Sequence, residues 1–289
     1  MKSIIRKIIR SSPLLITVAR ALRHQKLLKR QAVVTPWGFK FNGPAAMISG
    51  DFEPDETKLV NAILERSDVL INVGANVGFY CAHALATGKT CVALEPHPEN
   101  VALLLRNLRI NHWKAEVHPV ACGSGPDVLE LYGGGTSASL VKGWAGQSVS
   151  HSLLVPILRL DDIIGSRFSD KRIFCLIDVE GAELSVLRGA VNLLKREPRP
   201  IWLTEISINE HYSADSTQNP NLLQTFEIFV NAGYAAYAVG KTLRYVSLEE
   251  VSLISNGGQD TIGVHNFIFT DNSELIGQLN DSLQKSKSY

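Results

Sequence analysis

From residue 68 onward the chain alternates between two hydrophobic rhythms. Asp68–Val73, Thr90–Leu94, Ala115–Val120, Ile173–Val179 and Ile201–Ile206 are short, nearly continuous apolar runs. Runs of that length read as strands buried on both faces. Between them, apolar side chains spaced three and four apart predict helices over Phe79–Ala86, Glu99–Asn111, Glu183–Lys195 and Asn221–Ala232. Tyr234–Val239 and Asn266–Thr270 supply two further strands. Strand–helix repetition of this kind predicts an α/β fold, a doubly wound and mostly parallel sheet with helices on both faces.

The rhythm breaks twice. Within 123–165, Val128–Tyr132 and Leu153–Leu160 read as strands around the breaker Gly133-Gly134-Gly135. The polar run from Gly133 to Ser139 reads as a lid or as a plain connection. Ahead of the alternation, residues 36–66 read as a lead-in, a hairpin from Trp37 to Asn42 and then a helix starting near Pro54. Residues 1–35 form a basic helical extension, 67–275 the main domain, and 276–289 a C-terminal tail.

Charge sharpens that division. The 289 residues are 45% hydrophobic and 20% charged, which excludes a disordered or fibrous chain. Net charge is +1, yet residues 1–50 carry ten Lys or Arg and no acid, so the rest is acidic by nine charges. An acidic body argues against a nucleic-acid partner. In the head, Ile4 with Ile8 and Ile5 with Ile9 make an apolar stripe beside Arg6, Lys7 and Arg10. Such a stripe packs on the domain or rests peripherally on an anionic membrane through residues 1–30. No apolar run reaches the roughly 18–20 residues of a membrane span, and Arg20, Arg23 and Lys26 spoil a secretory signal. Cys81, Cys91, Cys122 and Cys175 lack metal-ligand spacing and read as buried thiols of a reducing cytosol, so the expected location is cytoplasmic.

The candidate chemistry lies at the strand ends, where open parallel sheets bind ligands. The first strand runs into Ile71-Asn72-Val73-Gly74-Ala75-Asn76-Val77-Gly78, and Gly74 and Gly78 permit a sharp turn and close approach. Seventeen residues beyond Gly78 the second strand ends in Glu95-Pro96, where a carboxylate can accept both hydroxyls of a ribose. A dinucleotide fingerprint needs glycine where Asn76 stands, and no Lys or Arg lies between Asp68 and Gly88 to clamp phosphate. A nucleoside without phosphate, such as S-adenosylmethionine, fits better than a nicotinamide dinucleotide.

The same residues resemble a known family. The stretch from Ile71 to Gly78, followed by Glu95-Pro96-His97-Pro98-Glu99-Asn100, is similar to the first two motifs of the FkbM family of S-adenosylmethionine-dependent methyltransferases. Leu160-Asp161-Asp162-Ile163, Leu176-Ile177-Asp178-Val179-Glu180-Gly181-Ala182-Glu183 and Leu187-Arg188-Gly189-Ala190 continue the likeness. So do the run from Arg199 to Ile206, Gly233-Tyr234 and Asn266-Phe267-Ile268-Phe269. The resemblance implies a Rossmann-like seven-stranded sheet whose last strand is antiparallel, and methylation of hydroxyls on sugars or secondary metabolites. It implies cofactor contacts at Asn72, Gly74, Ala75, Asn76, Gly78, Glu95, Pro96 and Asn100. Two positions depart from the family pattern: Asn72 replaces an acid, and Leu176 replaces a lysine.

A sugar hydroxyl is a weak nucleophile, so a base helps its methylation. Asp178 ranks first as base or anchor, then Glu180, then Glu205, then His211. The competing roles are structural: Asp178 as a helix cap, Glu183 as a first-turn dipole partner, His211 as a solvated loop residue. Asp161 and Asp162 with Asp178 make a conceivable metal set, although no metal is expected. Two other readings remain, a non-catalytic scaffold that keeps the cofactor pocket and a nicotinamide-dependent oxidoreductase.

Overall fold

The computed structural model describes residues 22, 25–146, 149, 152–209 and 218–284. The isoleucine stripe of the head and His211 lie outside the described residues.

The chain enters the domain through β1 (Val33–Val34) and β2 (Lys40–Phe41), an antiparallel pair that starts earlier than the Trp37 hairpin expected. Two helices follow, α1 (Ala45–Ser49) and α2 (Pro54–Glu65); Pro54 opens α2, where its missing N–H costs nothing. The alternation then unfolds as β3 (Val69–Val73), α3 (Phe79–Ala86), β4 (Thr90–Leu94), α4 (Pro98–Ile110) and β5 (Glu116–His118). The middle section supplies β6 (Ala121–Cys122), β7 (Asp127–Tyr132) and β8 (Ser152–Leu158), which make a separate three-stranded sheet in the order β6-β8-β7.

After α5 (Leu160–Ile164) come β9 (Ile173–Ile177), α6 (Glu183–Arg188), α7 (Val191–Leu194) and β10 (Ile201–Glu205). The chain ends with α8 (Leu222–Asn231), β11 (Ala235–Val239), β12 (Leu243–Val246), α9 (Leu248–Ser255), β13 (Asn266–Thr270) and α10 (Ser273–Gln284). The main sheet runs β12-β11-β13-β10-β9-β3-β4-β5. β13, the last strand in the chain, lies antiparallel between β10 and β11, as the resemblance implied. The sheet has eight strands rather than seven, because β12 folds back on β11 as an edge hairpin.

β3 pairs in parallel with β4 on one side and β9 on the other, so strand order reverses there. That reversal opens a crevice beyond the carboxyl ends of β3 and β9. The two faces of the sheet build two cores: Val69, Ile71 and Val73 point into one, Leu70 into the other. In the first, Phe229 stacks on Phe269 with ring centroids 3.7 Å apart, which locks α8 onto β13.

The single helix expected over Glu183–Lys195 is two. At Gly189 a side chain would meet the Gly123 carbonyl oxygen at 2.0 Å, and the helix breaks there. The Asp161 carboxylate accepts the N–H groups of Asn192 (2.9 Å) and Leu193 (3.0 Å) at the fresh start of α7. Asp161 is therefore spent on architecture and on its ion pair with Arg159. No described helix is long and apolar enough to cross a membrane.

Candidate functional site

Two cavities open at the strand ends. The first, with about 550 Å³ of empty space including its mouth, lies over β3 and β4 and is closed by the middle section. Leu94, Val120, Ala121 and Leu131 give it apolar walls, while Gly74, Asn76, Glu95 and Asn100 supply its polar side.

Glu95 is set by its neighbours. One carboxylate oxygen accepts the N–H of Asn76 at 2.8 Å; the other accepts the N–H of His97 at 2.8 Å and the Asn100 amide at 3.1 Å. Burial holds the Glu95 carboxyl above the usual range, and these three donors offset only part of that rise. His97 caps α4 through its ring nitrogen, which accepts the Glu99 N–H, so it shapes the turn after Glu95. Pro96 lines the cavity beside it. Asn100 also donates to the Gly135 carbonyl at 3.0 Å, so the glycine-rich run is drawn over this cavity.

Of the other loop residues, Asn72 and Ala75 face the second cavity, whereas Gly78 lines neither and starts α3 in a left-handed conformation. The turn demands glycine at position 74. Its φ is +86°, and a side chain there would meet the Asp178 carbonyl oxygen at 1.7 Å. Close packing of the β3 and β9 ends thus brings the Gly74 turn against Asp178.

The second cavity, about 720 Å³ of empty space open to solvent, is bounded by Asn72, Tyr80, Asp178, Glu180, Glu205 and the Glu53 region ahead of α2. Gly74, Asn76, Asp178 and Glu180 line both cavities and form the rim between them. Asp178, half-buried, caps no helix: α6 is preceded by Ala182, and Glu183 turns back to accept the Gly181 N–H at 2.8 Å. Neither Asp178 nor Glu205 accepts a side-chain hydrogen bond from any described residue.

Burial, then the charges of Glu205 and Glu180, holds the Asp178 carboxyl well above the usual range. Burial and the charge of Glu180 push Glu205 up to about 8. Glu180 adopts a left-handed φ of +55°, rare outside glycine, and is held from the middle section. Its carboxylate accepts the Trp144 indole N–H at 2.5 Å, and its carbonyl accepts the Ser139 hydroxyl. Trp144 is buried against Gly181, so it packs rather than offering an exposed stacking face.

Sequence reasoning passed over Glu53, Glu56 and Tyr80. The Tyr80 hydroxyl lies 3.0 Å from both Glu53 and Glu56, and the Asn266 amide donates to Glu56 at 2.5 Å. Burial and the charge of Glu53 push Glu56 up to about 8. The only signal was the acid-rich Glu53-Pro54-Asp55-Glu56 start of α2, which reads equally well as a helix N-terminus. Among the described residues no group of three or more His, Cys, Asp or Glu is arranged to hold a metal ion.

No curated protein matches the sequence. Solved structures similar to the chain include a precorrin-6y C5,15-methyltransferase from Geobacter metallireducens, at 14% identity over 79% of this chain and 94% of that one, TM-score 0.39. An O-methyltransferase from Bacillus cereus in complex with SAH aligns at 12% identity over 78% and 84%, TM-score 0.44. The bifunctional kinase-methyltransferase WbdD aligns at 10% over 75% of this chain but only 38% of its own, TM-score 0.41. Residues 72–236, from the strand that opens the crevice to the middle of β11, match the methyltransferase FkbM domain. On that match, which spans more than half of the sequence, the chain belongs to the FkbM methyltransferase family.

Proposed function

We propose that this protein transfers a methyl group from S-adenosylmethionine to a hydroxyl of a saccharide or glycosylated metabolite. The observation that carries the reading is the common rim: Gly74, Asn76, Asp178 and Glu180 belong to both cavities, so ligands in the two would meet there. The first cavity suits a nucleoside. Its anchored Glu95 can receive the ribose hydroxyls, its apolar walls can take adenine, and no Lys or Arg among its described lining residues awaits a phosphate. Gly74 and Asn76 would carry the cofactor across the rim.

Bound S-adenosylmethionine supplies a methyl group on a positively charged sulfur, already activated for in-line displacement. The protein's task is then to align the acceptor and exclude water. Asp178 would accept the hydroxyl proton, a role suited to a carboxylate whose proton affinity is raised by burial and by the neighbouring acids. Glu180 would orient the acceptor from the same rim, and Glu205 from the neighbouring strand end. His211 keeps its place as a fourth candidate.

The test is transfer of labelled methyl from S-adenosylmethionine to a panel of neutral, amino and phosphorylated saccharides, by wild type and Asp178→Asn. Loss of about 10²-fold or more in the variant, with S-adenosylhomocysteine binding retained, supports the assignment. Turnover unchanged in the variant removes Asp178 as base. Transfer to peptides or lipids but to no saccharide overturns the acceptor class.

A further inference from the structure

The second cavity has a charge character that the methyltransferase reading does not require. Carboxylates line it from three separate segments: Glu53 ahead of α2, with Glu56 joined to it through the Tyr80 hydroxyl, Asp178 and Glu180 after β9, and Glu205 at the end of β10. No Lys or Arg stands among its described lining residues, and the His265 imidazole lies near Glu53.

The Tyr80 hydroxyl has one proton for two carboxylates, so it can donate to Glu53 or to Glu56 but not to both. The Asn266 amide satisfies one oxygen of Glu56. Asp178 and Glu205 receive nothing from the described residues.

A second observation is independent of charge. Asn72 is 2% exposed and lines this cavity. Its amide nitrogen donates toward the Cys81 sulfur at 3.5 Å, but its carbonyl oxygen has no donor among the described residues. A buried acceptor without a donor is costly, and a ligand in this cavity that offers N–H or O–H would supply the partner it lacks. The Asn72 oxygen thus asks for a donor, and the Asp178 and Glu205 carboxylates that line the same cavity accept no hydrogen bond from the described residues.

We propose that the acceptor seated in this cavity carries a protonated amine beside its reactive hydroxyl, as an amino sugar does, and that phosphorylated or carboxylated acceptors are excluded. The inference rests on the methyltransferase reading above and narrows its acceptor. An ammonium group offers three donors and a positive charge; a neutral polyol offers donors alone, and an anion adds to the repulsion already present.

Proton bookkeeping gives the proposal a separate signature. Glu56 and Glu205, both pushed to about 8, hold protons at neutral pH in the ligand-free protein. An ammonium arriving among them favours their ionised form, so binding releases protons to the buffer. A neutral sugar leaves the balance nearly unchanged.

The experiment uses full-length protein saturated with S-adenosylhomocysteine, probed by saturation-transfer NMR with methyl glucosaminide, methyl glucoside and glucose 6-phosphate. Calorimetry in two buffers of different ionisation enthalpy counts the protons released. The expected result is an amine preference of about tenfold or more, no binding of the phosphate, and net proton release. Glu56→Gln and Glu205→Gln should each reduce that preference while leaving S-adenosylhomocysteine affinity intact, which also shows that the variants fold. Equal binding of the amino and neutral sugars, preferential binding of the phosphate, or no binding of any probe to the loaded protein overturns the proposal. Failure to bind S-adenosylhomocysteine at all marks instead a failure of the methyltransferase reading.

Discussion

Glu95 and Asp178 are both carboxylates at the end of a parallel strand, yet their surroundings suit them to different tasks. Three N–H donors fix Glu95 and stabilise its charge, which suits a binding group. Asp178 has no donor among the described residues and negative neighbours, which suits a group that takes a proton. Spacing from the glycine loop made Glu95 legible, and strand-end position made Asp178 legible. The hold on Glu180 was not, because Trp144 reaches it across 36 residues of chain and only after the middle section folds back. Gly181 is where that contact is tightest: with φ at +98°, a methyl group there would lie 2.5 Å from the Trp144 ring. Gly181→Ala should therefore cost about 1–3 kcal/mol in a urea titration. A variant as stable as wild type would mean that the loop and Trp144 part at no cost.

At the scale of elements, buried strands were the most readable part of the chain. β4 and β13 have the bounds that their apolar runs predicted, because continuous burial leaves no ambiguity about which residues belong. β12 was missed: it exposes Arg244 and Tyr245, and four residues with half their side chains in water give no periodic signal. The break between α6 and α7 was hidden for the opposite reason, since the apolar spacing runs through Gly189 unchanged. What interrupts the helix is the backbone at Gly123, more than sixty positions away. The junction of α8 with β13 is the firmest that the fold offers a mutagenesis test. Phe229→Ala empties a fully buried, stacked position and should cost about 3–5 kcal/mol in equilibrium unfolding. A cost under about 1 kcal/mol would mean that this core collapses freely around the lost ring.

Over the whole molecule, composition announced an acidic body, but only the fold shows where its acid is concentrated. Glu56 and Glu205 at about 8 and Glu183 at about 7 all bind protons more tightly than the ordinary value of 4.5, each through burial first. Between about pH 4.5 and pH 8 the folded state therefore carries more protons than the unfolded chain, and stability falls as pH rises through that window. The melting temperature of the ligand-free protein should accordingly drop between about pH 5 and about pH 8. A flat or rising profile would contradict the burial of these carboxyl groups in the fold. Of the two cavities in the crevice, the one over β3 and β4 is the one that a single titration tests. Wild type and Glu95→Ala would be titrated calorimetrically with S-adenosylmethionine, S-adenosylhomocysteine and NADH. The account predicts micromolar binding of the first two by wild type, weakened at least about tenfold in the variant, and none of NADH. Binding of NADH, or S-adenosylhomocysteine binding that ignores the loss of Glu95, would contradict it.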